Sequence, residues 1–136
     1  MNDIQLAKLL GLFSLGLGAV QLFASRRIAG VVGVGNPTLV KAIGAREIAA
    51  GLMVLNAPDQ ALPVWGRVAG AAMDMAVLAS GLGSGNRQRG GAVGAMLFVL
   101  ATAALDVVVA ASLNRRKGTA LQTARRTRIR GAVAPT

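Results

Sequence analysis

Four apolar stretches, each about twenty residues long, are separated along the chain by short polar or glycine-rich segments. The stretches cover about residues 4–24, 37–56, 62–82 and 91–113. A helix of this length rises 1.5 Å per residue and spans a hydrocarbon core of about 30 Å. The stretches lack the apolar–polar alternation of a membrane β-barrel, and an isolated strand in lipid leaves its backbone polar groups unpaired. The pattern therefore predicts four transmembrane α-helices.

The connections between these stretches contain signals for turns and helix starts. The connection from Arg26 to Asn36 carries apolar residues after two arginines, and its three glycines weaken a helix. We expect it to form one short turn at the membrane interface. Asn36 is a favoured N-cap, and Pro37 fits the first position of a helix, where no backbone N–H is needed. The second helix is therefore predicted to begin at Pro37.

The segment after the fourth stretch is strongly basic. Residues 114–136 contain seven Lys or Arg residues and no acidic residue, and they contribute +7 to the formal net charge of +10. We expect this segment to be a partly disordered tail. The predicted fold is all-α: an integral membrane bundle of four helices over residues 1–113, followed by a basic C-terminal tail over residues 114–136.

The composition supports a membrane protein and excludes several kinds of site. Hydrophobic residues make up 54% of the chain and charged residues only 15%, and the mean hydropathy is +0.57. A soluble domain carries about a quarter charged residues. The chain has no Cys and no His, which removes disulfides, zinc sites built on these residues, iron–sulfur clusters and histidine-ligated haem. We predict no enzymatic activity, no cofactor and no metal.

Small residues recur at the spacing that lets helices approach closely in lipid. Gly66 and Gly70 form one GxxxG motif, and Gly90 and Gly94 form another. We predict that these four glycines lie at helix–helix contacts. The spacing fits packing within one chain, and it fits a homo-oligomer.

The chain also repeats itself weakly. A shift of 33 residues aligns glycines of the first stretch with glycines of the second, in the pairs Gly11/Gly44 and Gly18/Gly51. A shift of 32 residues places Asp74 on Asp106. Such internal sequence similarity occurs in the inverted repeats of some transporters. It also arises when two helices place similar small residues in the interior of one bundle.

Charged residues inside the predicted spans are the most informative feature, because an ionised side chain at a helix centre costs about 2.5–3.5 kcal/mol on the insertion scale. They are Arg46, Glu47, Arg67, Asp74 and Asp106. Their depths allow Glu47 or Asp106 to reach Arg67, and Arg46 to reach Asp74. Three carboxylates then share two arginines, which leaves one carboxylate in excess.

These five residues support two functional hypotheses. In the first, they form a buried ion-pair network that fixes helix register, and the protein is a small accessory, scaffold or interaction subunit of the membrane. In the second, the carboxylates are a proton-linked or ligand site, and the protein is a proton-coupled small-molecule transporter or a ligand-binding membrane protein.

Basic residues indicate the orientation. With four spans, both termini lie on one side, together with Lys8 and the seven tail cations, and the positive-inside rule places that side in the cytoplasm. Counting the loops alone reverses this result. Arg115, Arg116 and Lys117 follow the fourth stretch directly, where they contact anionic headgroups or only fix the topology.

Candidate partners follow from this placement. They are the lipid bilayer, anionic lipid, a membrane protein complex and a second copy of the chain. The tail has no aromatic residue to stack on bases, so we predict no specific nucleic acid partner.

Three motifs resemble those of a known group of proteins. The motifs are Gly44-x-Arg46-Glu47, Arg67-x-x-Gly70 with Asp74, and Leu105-Asp106. Over about residues 5–113 the chain resembles small bacterial four-helix membrane proteins, an uncharacterised family whose members are often labelled cyclase/dehydrase-associated. It is more distantly similar to DoxX-like membrane proteins. The resemblance implies a multi-pass protein of the bacterial inner membrane, and it implies no established activity.

Overall fold

The computed structural model describes residues 1–132, and side chains through residue 129. Five helices follow one another in this part of the chain: α1 (Asp3–Phe23), α2 (Ser25–Val32), α3 (Pro37–Asn56), α4 (Ala61–Ser80) and α5 (Arg89–Ala132). The described residues contain no strand. The prediction of an all-α fold is confirmed.

Three of the helices are long and apolar enough to cross a membrane. They are α1, α4 and the part of α5 up to Ile129. α3 is as long as α4, but it carries three charged residues, Lys41, Arg46 and Glu47, whereas α4 carries two. Length and composition therefore support a membrane protein with three candidate spans, where the sequence predicted four.

The start of α3 follows the sequence signals. The side chain of Asn36 accepts hydrogen bonds from the backbone N–H groups of Thr38 and Leu39, at 3.0 and 3.3 Å. Pro37 occupies the first helical turn. The predicted N-cap is confirmed.

The connection before α3 is more regular than the single turn we expected. α2 is a helix of eight residues that begins one residue after α1 ends. Ser25, Ala29 and Val32 are buried on one face, while Arg26 is exposed on the other. Burial of this face stabilises the helix despite its internal glycine, since tertiary packing outweighs weak propensity. α2 ends at Gly33, whose φ of 67° is the left-handed conformation that glycine adopts without strain.

α1 and α3 pack antiparallel through glycines at their contact. A Cβ atom added to Gly18 would lie 2.5 Å from the carbonyl oxygen of Gly44, and one added to Gly51 would lie 2.7 Å from that of Gly11. The two helices therefore touch backbone to backbone at two positions seven residues apart. This contact gives the weak repeat between the first two stretches a physical reason, because each helix presents glycines at the same spacing to the other.

The glycines of the predicted GxxxG motifs mostly lie elsewhere. Gly66, Gly90 and Gly94 are exposed, and an added Cβ would meet no atom within 4 Å, so the packing prediction is wrong for these three within the chain. The helix rotation explains this result, since at 100° per residue Gly94 lies about 120° around α5 from the buried Asp106. Only Gly70 faces the interior, where an added Cβ would lie 2.7 Å from the guanidinium carbon of Arg46.

α5 is much longer than the fourth predicted span. It continues past Leu113 to Ala132, so the segment that we expected to be partly disordered is helical where it is described. Residues 114–132 contain six arginines and three alanines, which favour helix, and they add about 28 Å to its length. Near the start of this extension, Arg116 Nε donates to Asp3 Oδ2 at 2.6 Å, which ties the beginning of α1 to α5.

Two apolar clusters lie at opposite ends of the packed helices. The larger one, near the beginning of α1 and the end of α3, consists of Ala7, Leu10, Val54, Ala61, Val64, Val109, Ala110 and Leu113. The smaller one, next to α2, consists of Val32, Val34 and Leu78. The polar side chains of the interior lie between these clusters.

Candidate functional site

Five charged side chains meet between α3, α4 and α5. α3 carries Arg46 and Glu47, α4 carries Arg67 and Asp74, and α5 carries Asp106. Salt bridges connect them in the order Asp74–Arg46–Glu47–Arg67–Asp106. The structure therefore brings together all five charged residues that the sequence placed inside the spans. We call this set the charge network.

Glu47 lies at the centre of the charge network. Its Oε1 accepts a hydrogen bond from Arg46 Nη2 at 2.9 Å. Its Oε2 accepts one from Ser14 Oγ of α1 at 2.6 Å and one from Arg67 Nη1 at 3.4 Å. Both oxygens of this buried carboxylate have partners, as buried polar groups normally do.

Arg67 and Asp106 form the most deeply buried of the described salt bridges. Their side chains are only 4% and 3% exposed, and Arg67 Nε donates to Asp106 Oδ1 at 2.9 Å. Charges at this depth are tolerated because each has a partner, and loss of one partner of a buried pair costs about 3–5 kcal/mol.

Arg46 connects α3 to α4. Its Nη2 donates to Asp74 Oδ2 at 2.7 Å, and its Nη1 donates to the backbone carbonyl of Gly70 at 2.6 Å. Gly70 has no side chain, and this absence gives the guanidinium group room beside the helix backbone. Gly70, which the sequence predicted to lie at a helix–helix contact, therefore makes room for the guanidinium group of Arg46.

The charge network carries more negative than positive groups. Two arginines face three carboxylates, so its formal charge is −1. Asp74 Oδ1 is buried and has no hydrogen-bond partner, and Gln21 Oε1 of α1 is also buried without a partner. Among the described residues, these are the two buried side-chain polar atoms without a partner, and both are oxygen acceptors.

A cavity of about 280 Å³ lies beside the charge network, and both unpartnered oxygens belong to residues in its wall. All five helices contribute to the wall. Glu47, Arg67, Asp74 and Asp106 supply charged groups, and most other wall residues are apolar. Pockets that bind small molecules have this composition: apolar walls with a few polar groups that orient the ligand.

Apart from Gln21 and Thr102, the rest of the cavity wall comes from aliphatic and aromatic side chains. α2 contributes Ile28 and Val32, on the side opposite the larger apolar cluster. Phe13 and Phe98 face each other across α1 and α5, with ring centroids 5.9 Å apart and a tilt of 47°. The cavity therefore has an apolar portion and a polar portion supplied by the charge network.

Two residues of this site were missed by the sequence prediction. Ser14 donates to Glu47, and Gln21 lines the cavity. They are seven residues apart in α1, which places them on one face of the helix. The signal that marks them is a pair of polar side chains at helical spacing within an otherwise apolar stretch.

The basic residues predicted to meet lipid headgroups lie away from this site. Arg115, Arg116 and Lys117 are exposed on α5, where its extension begins. Arg116 pairs with Asp3 of α1. The described residues contain no group of three or more His, Cys, Asp or Glu side chains placed to hold a metal ion.

Comparison with protein-family models, with curated proteins and with solved structures found no match to this chain. The similarity to cyclase/dehydrase-associated and DoxX-like membrane proteins stays a prediction from the motifs.

Proposed function

We propose that this protein binds a small, largely apolar molecule inside its helix bundle, with the polar group of the ligand at the charge network. One observation carries the proposal: Asp74, which lines a mostly apolar cavity, has a buried Oδ1 without a hydrogen-bond partner. Buried acceptors normally have a donor, because an unsatisfied one costs about 1–3 kcal/mol. A ligand that donates to Asp74 would remove this cost.

The proposal includes a fourth membrane span formed by α3. Asp3 at the beginning of α1 pairs with Arg116 beyond the apolar part of α5. These two ends then lie on the same side of the membrane, which requires an even number of crossings. The antiparallel contact of α3 with α1 also supports a crossing by α3, because its Arg46 and Glu47 side chains pair with each other and Glu47 pairs with Arg67 of α4.

The proposed location is the bacterial inner membrane, with both termini in the cytoplasm. The positive-inside rule supports this orientation, since the basic extension of α5 and Lys8 lie on the side of the termini. The site also fits proton-coupled transport of the same ligand. The carboxylate in excess can be neutralised alternately by a proton and by a ligand.

Cysteine labelling tests whether the cavity admits small molecules, because the natural chain contains no cysteine. The variant Thr102→Cys places a thiol in the cavity wall, one helical turn from Asp106. We expect methyl methanethiosulfonate, a small neutral reagent, to modify it in membranes at least about tenfold faster than a thiol in contact with lipid, because only a thiol that meets water forms the reactive thiolate.

Leu97→Cys is the matched control for this experiment. Leu97 is also on α5, is 62% exposed and does not line the cavity, so a thiol there faces lipid in the proposed arrangement. Equal labelling rates for the two variants, measured by mass spectrometry, would contradict a ligand cavity that opens to small molecules.

An accessory, scaffold or interaction subunit is the second candidate function. It is favoured by the links that the charge network makes between α1, α3, α4 and α5, and by the exposed basic extension of α5, which offers a surface to anionic lipid or to a membrane protein complex. If the network only stabilises the fold, Asp74 and Arg67 contribute equally to stability. If it binds a ligand, Asp74 contributes least to stability.

A further inference from the structure

We infer that the cavity is built for a monovalent organic cation, with a primary ammonium group at Asp74 and a short apolar tail in the rest of the space. This inference rests on the proposed ligand-binding function and specifies its ligand class. Three properties of the site lead to it: the charge balance, the kind of atom left unpaired, and the size and lining of the cavity.

The charge balance favours a cationic ligand. The charge network has a formal charge of −1, and four of its five side chains are 13% exposed or less. Buried charges are normally paired, because an uncompensated charge in a low dielectric is costly. One positive charge makes the network neutral, whereas a neutral ligand leaves the imbalance and an anionic ligand doubles it.

The unpaired atoms favour a ligand that donates hydrogen bonds. Asp74 Oδ1 and Gln21 Oε1 can only accept, and among the described residues they are the two fully buried side-chain polar atoms without a partner. A primary ammonium group has three N–H donors and no acceptor, so it complements such a wall. A carboxylate or phosphate brings acceptors and would leave both oxygens unsatisfied.

The size and lining of the cavity describe the remainder of the ligand. A volume of about 280 Å³ holds roughly nine non-hydrogen atoms, at about 30 Å³ for each, the share of one water in the liquid. Leu17, Ile43, Val77 and Leu78 give the wall an aliphatic character. The aromatic residues of the wall are two phenylalanines, so the enclosing aromatic faces that recognise quaternary ammonium groups are not present. The site therefore suits a primary amine with an aliphatic tail.

Octylamine is a suitable probe, because it has nine non-hydrogen atoms and is protonated at pH 7. The experiment measures how strongly it protects the thiol of Thr102→Cys in vesicles from methyl methanethiosulfonate. 1-Octanol, which has the same tail and one neutral donor, and octanoate, which is an anion, are compared at equal concentrations in the membrane. We expect octylamine to protect the thiol at least about tenfold more strongly than octanol, and octanoate not to protect it.

Two variants in the same background locate the recognition. Asp74→Asn makes the network neutral, and we expect octylamine and octanol then to protect equally while the thiol stays reactive. Gln21→Met removes the second acceptor and keeps the charge, and we expect it to reduce protection by octylamine without abolishing it. Leu97→Cys controls for effects of the probes on the bilayer.

The outcomes separate this inference from the function on which it rests. Protection by octanol that equals protection by octylamine, or a reactive thiol that neither probe protects, would overturn the cationic ligand and leave an accessible cavity. A thiol at position 102 that does not react faster than the one at position 97 would overturn the proposed function itself. The comparison of amine and alcohol needs only the Thr102→Cys chain, so it stands even where Asp74→Asn does not fold.

Discussion

Glu47 accepts hydrogen bonds from Ser14, Arg46 and Arg67, so three helices meet at a single carboxylate. Its two arginine partners each hold one further carboxylate, Asp74 and Asp106. This arrangement makes the arginines and the carboxylates unequal in importance. Loss of an arginine changes the charge of the network from −1 to −2, whereas loss of a peripheral carboxylate makes it neutral.

Arg67→Gln and Asp74→Asn test this inequality. We expect Arg67→Gln to lower the free energy of unfolding by about 3–5 kcal/mol, because it leaves buried carboxylates without their cation. We expect Asp74→Asn to cost no more than about 1 kcal/mol, since the amide keeps the shape of the side chain and one acceptor for Arg46. The measurement is the folded fraction during denaturant unfolding in mixed micelles. Equal losses of unfolding free energy in the two variants would favour a network that only stabilises the fold.

The sequence predicts the charged members of this site because an ionised side chain is rare inside a membrane span and demands a partner. Ser14 and Gln21 are not predicted in the same way. An uncharged polar side chain in an apolar helix can satisfy itself on the preceding turn, as Thr102 Oγ1 does with the carbonyl of Val99 at 3.0 Å. Their roles depend on which residues of other helices face them, and one helix does not determine this.

At the scale of the helices, the contact between α1 and α3 depends on backbone proximity. In lipid the association of helices relies on close packing, so the glycines at their contact determine how near the two backbones come. The chain contains many glycines at regular spacing, and the spacing alone does not tell which of them face another helix. The orientation of each helix decides this, and the buried charges fix that orientation for α3, α4 and α5.

Gly18→Ala is expected to destabilise the protein by about 1–3 kcal/mol, because the added methyl group would lie against the carbonyl oxygen of Gly44 and force α1 and α3 apart. Gly66→Ala is the matched control, since the same methyl group meets open space on α4 and alanine favours helix over glycine. Thermal unfolding of both variants in one detergent gives the comparison. A loss of stability in Gly66→Ala as large as that in Gly18→Ala would instead place Gly66 at a contact between two copies of the chain.

At the scale of the whole molecule, the larger apolar cluster packs one end of the helices, and the cavity lies toward the other end. The larger apolar cluster lies near the beginning of α1, and the cavity occupies the space between the charge network and α2. The number and approximate bounds of the long helices follow from apolar length. The cavity does not follow from the sequence, because a void is a property of how five helices leave space between them. The sequence prediction also missed the helical extension of α5. Its basic composition indicates that the segment is exposed, but whether it forms a helix depends on the helix propensities of its residues.

A cavity that is kept for a ligand is a cost to stability, since each unfilled volume forfeits packing contacts. Ala71 is buried in α4 and lines the cavity, so Ala71→Leu fills part of it. We expect this variant to gain about 0.5–2 kcal/mol of stability, seen as a higher melting temperature, and to slow the labelling of Thr102→Cys. Its neighbour Ala72 is exposed and does not line the cavity, so Ala72→Leu is expected to change neither quantity.

A variant Ala71→Leu that is less stable, with labelling unchanged, would show that the wall is closely packed at this point and that the ligand space lies elsewhere. A more stable protein with a closed cavity would instead show that the wild-type chain retains space that its own packing does not need.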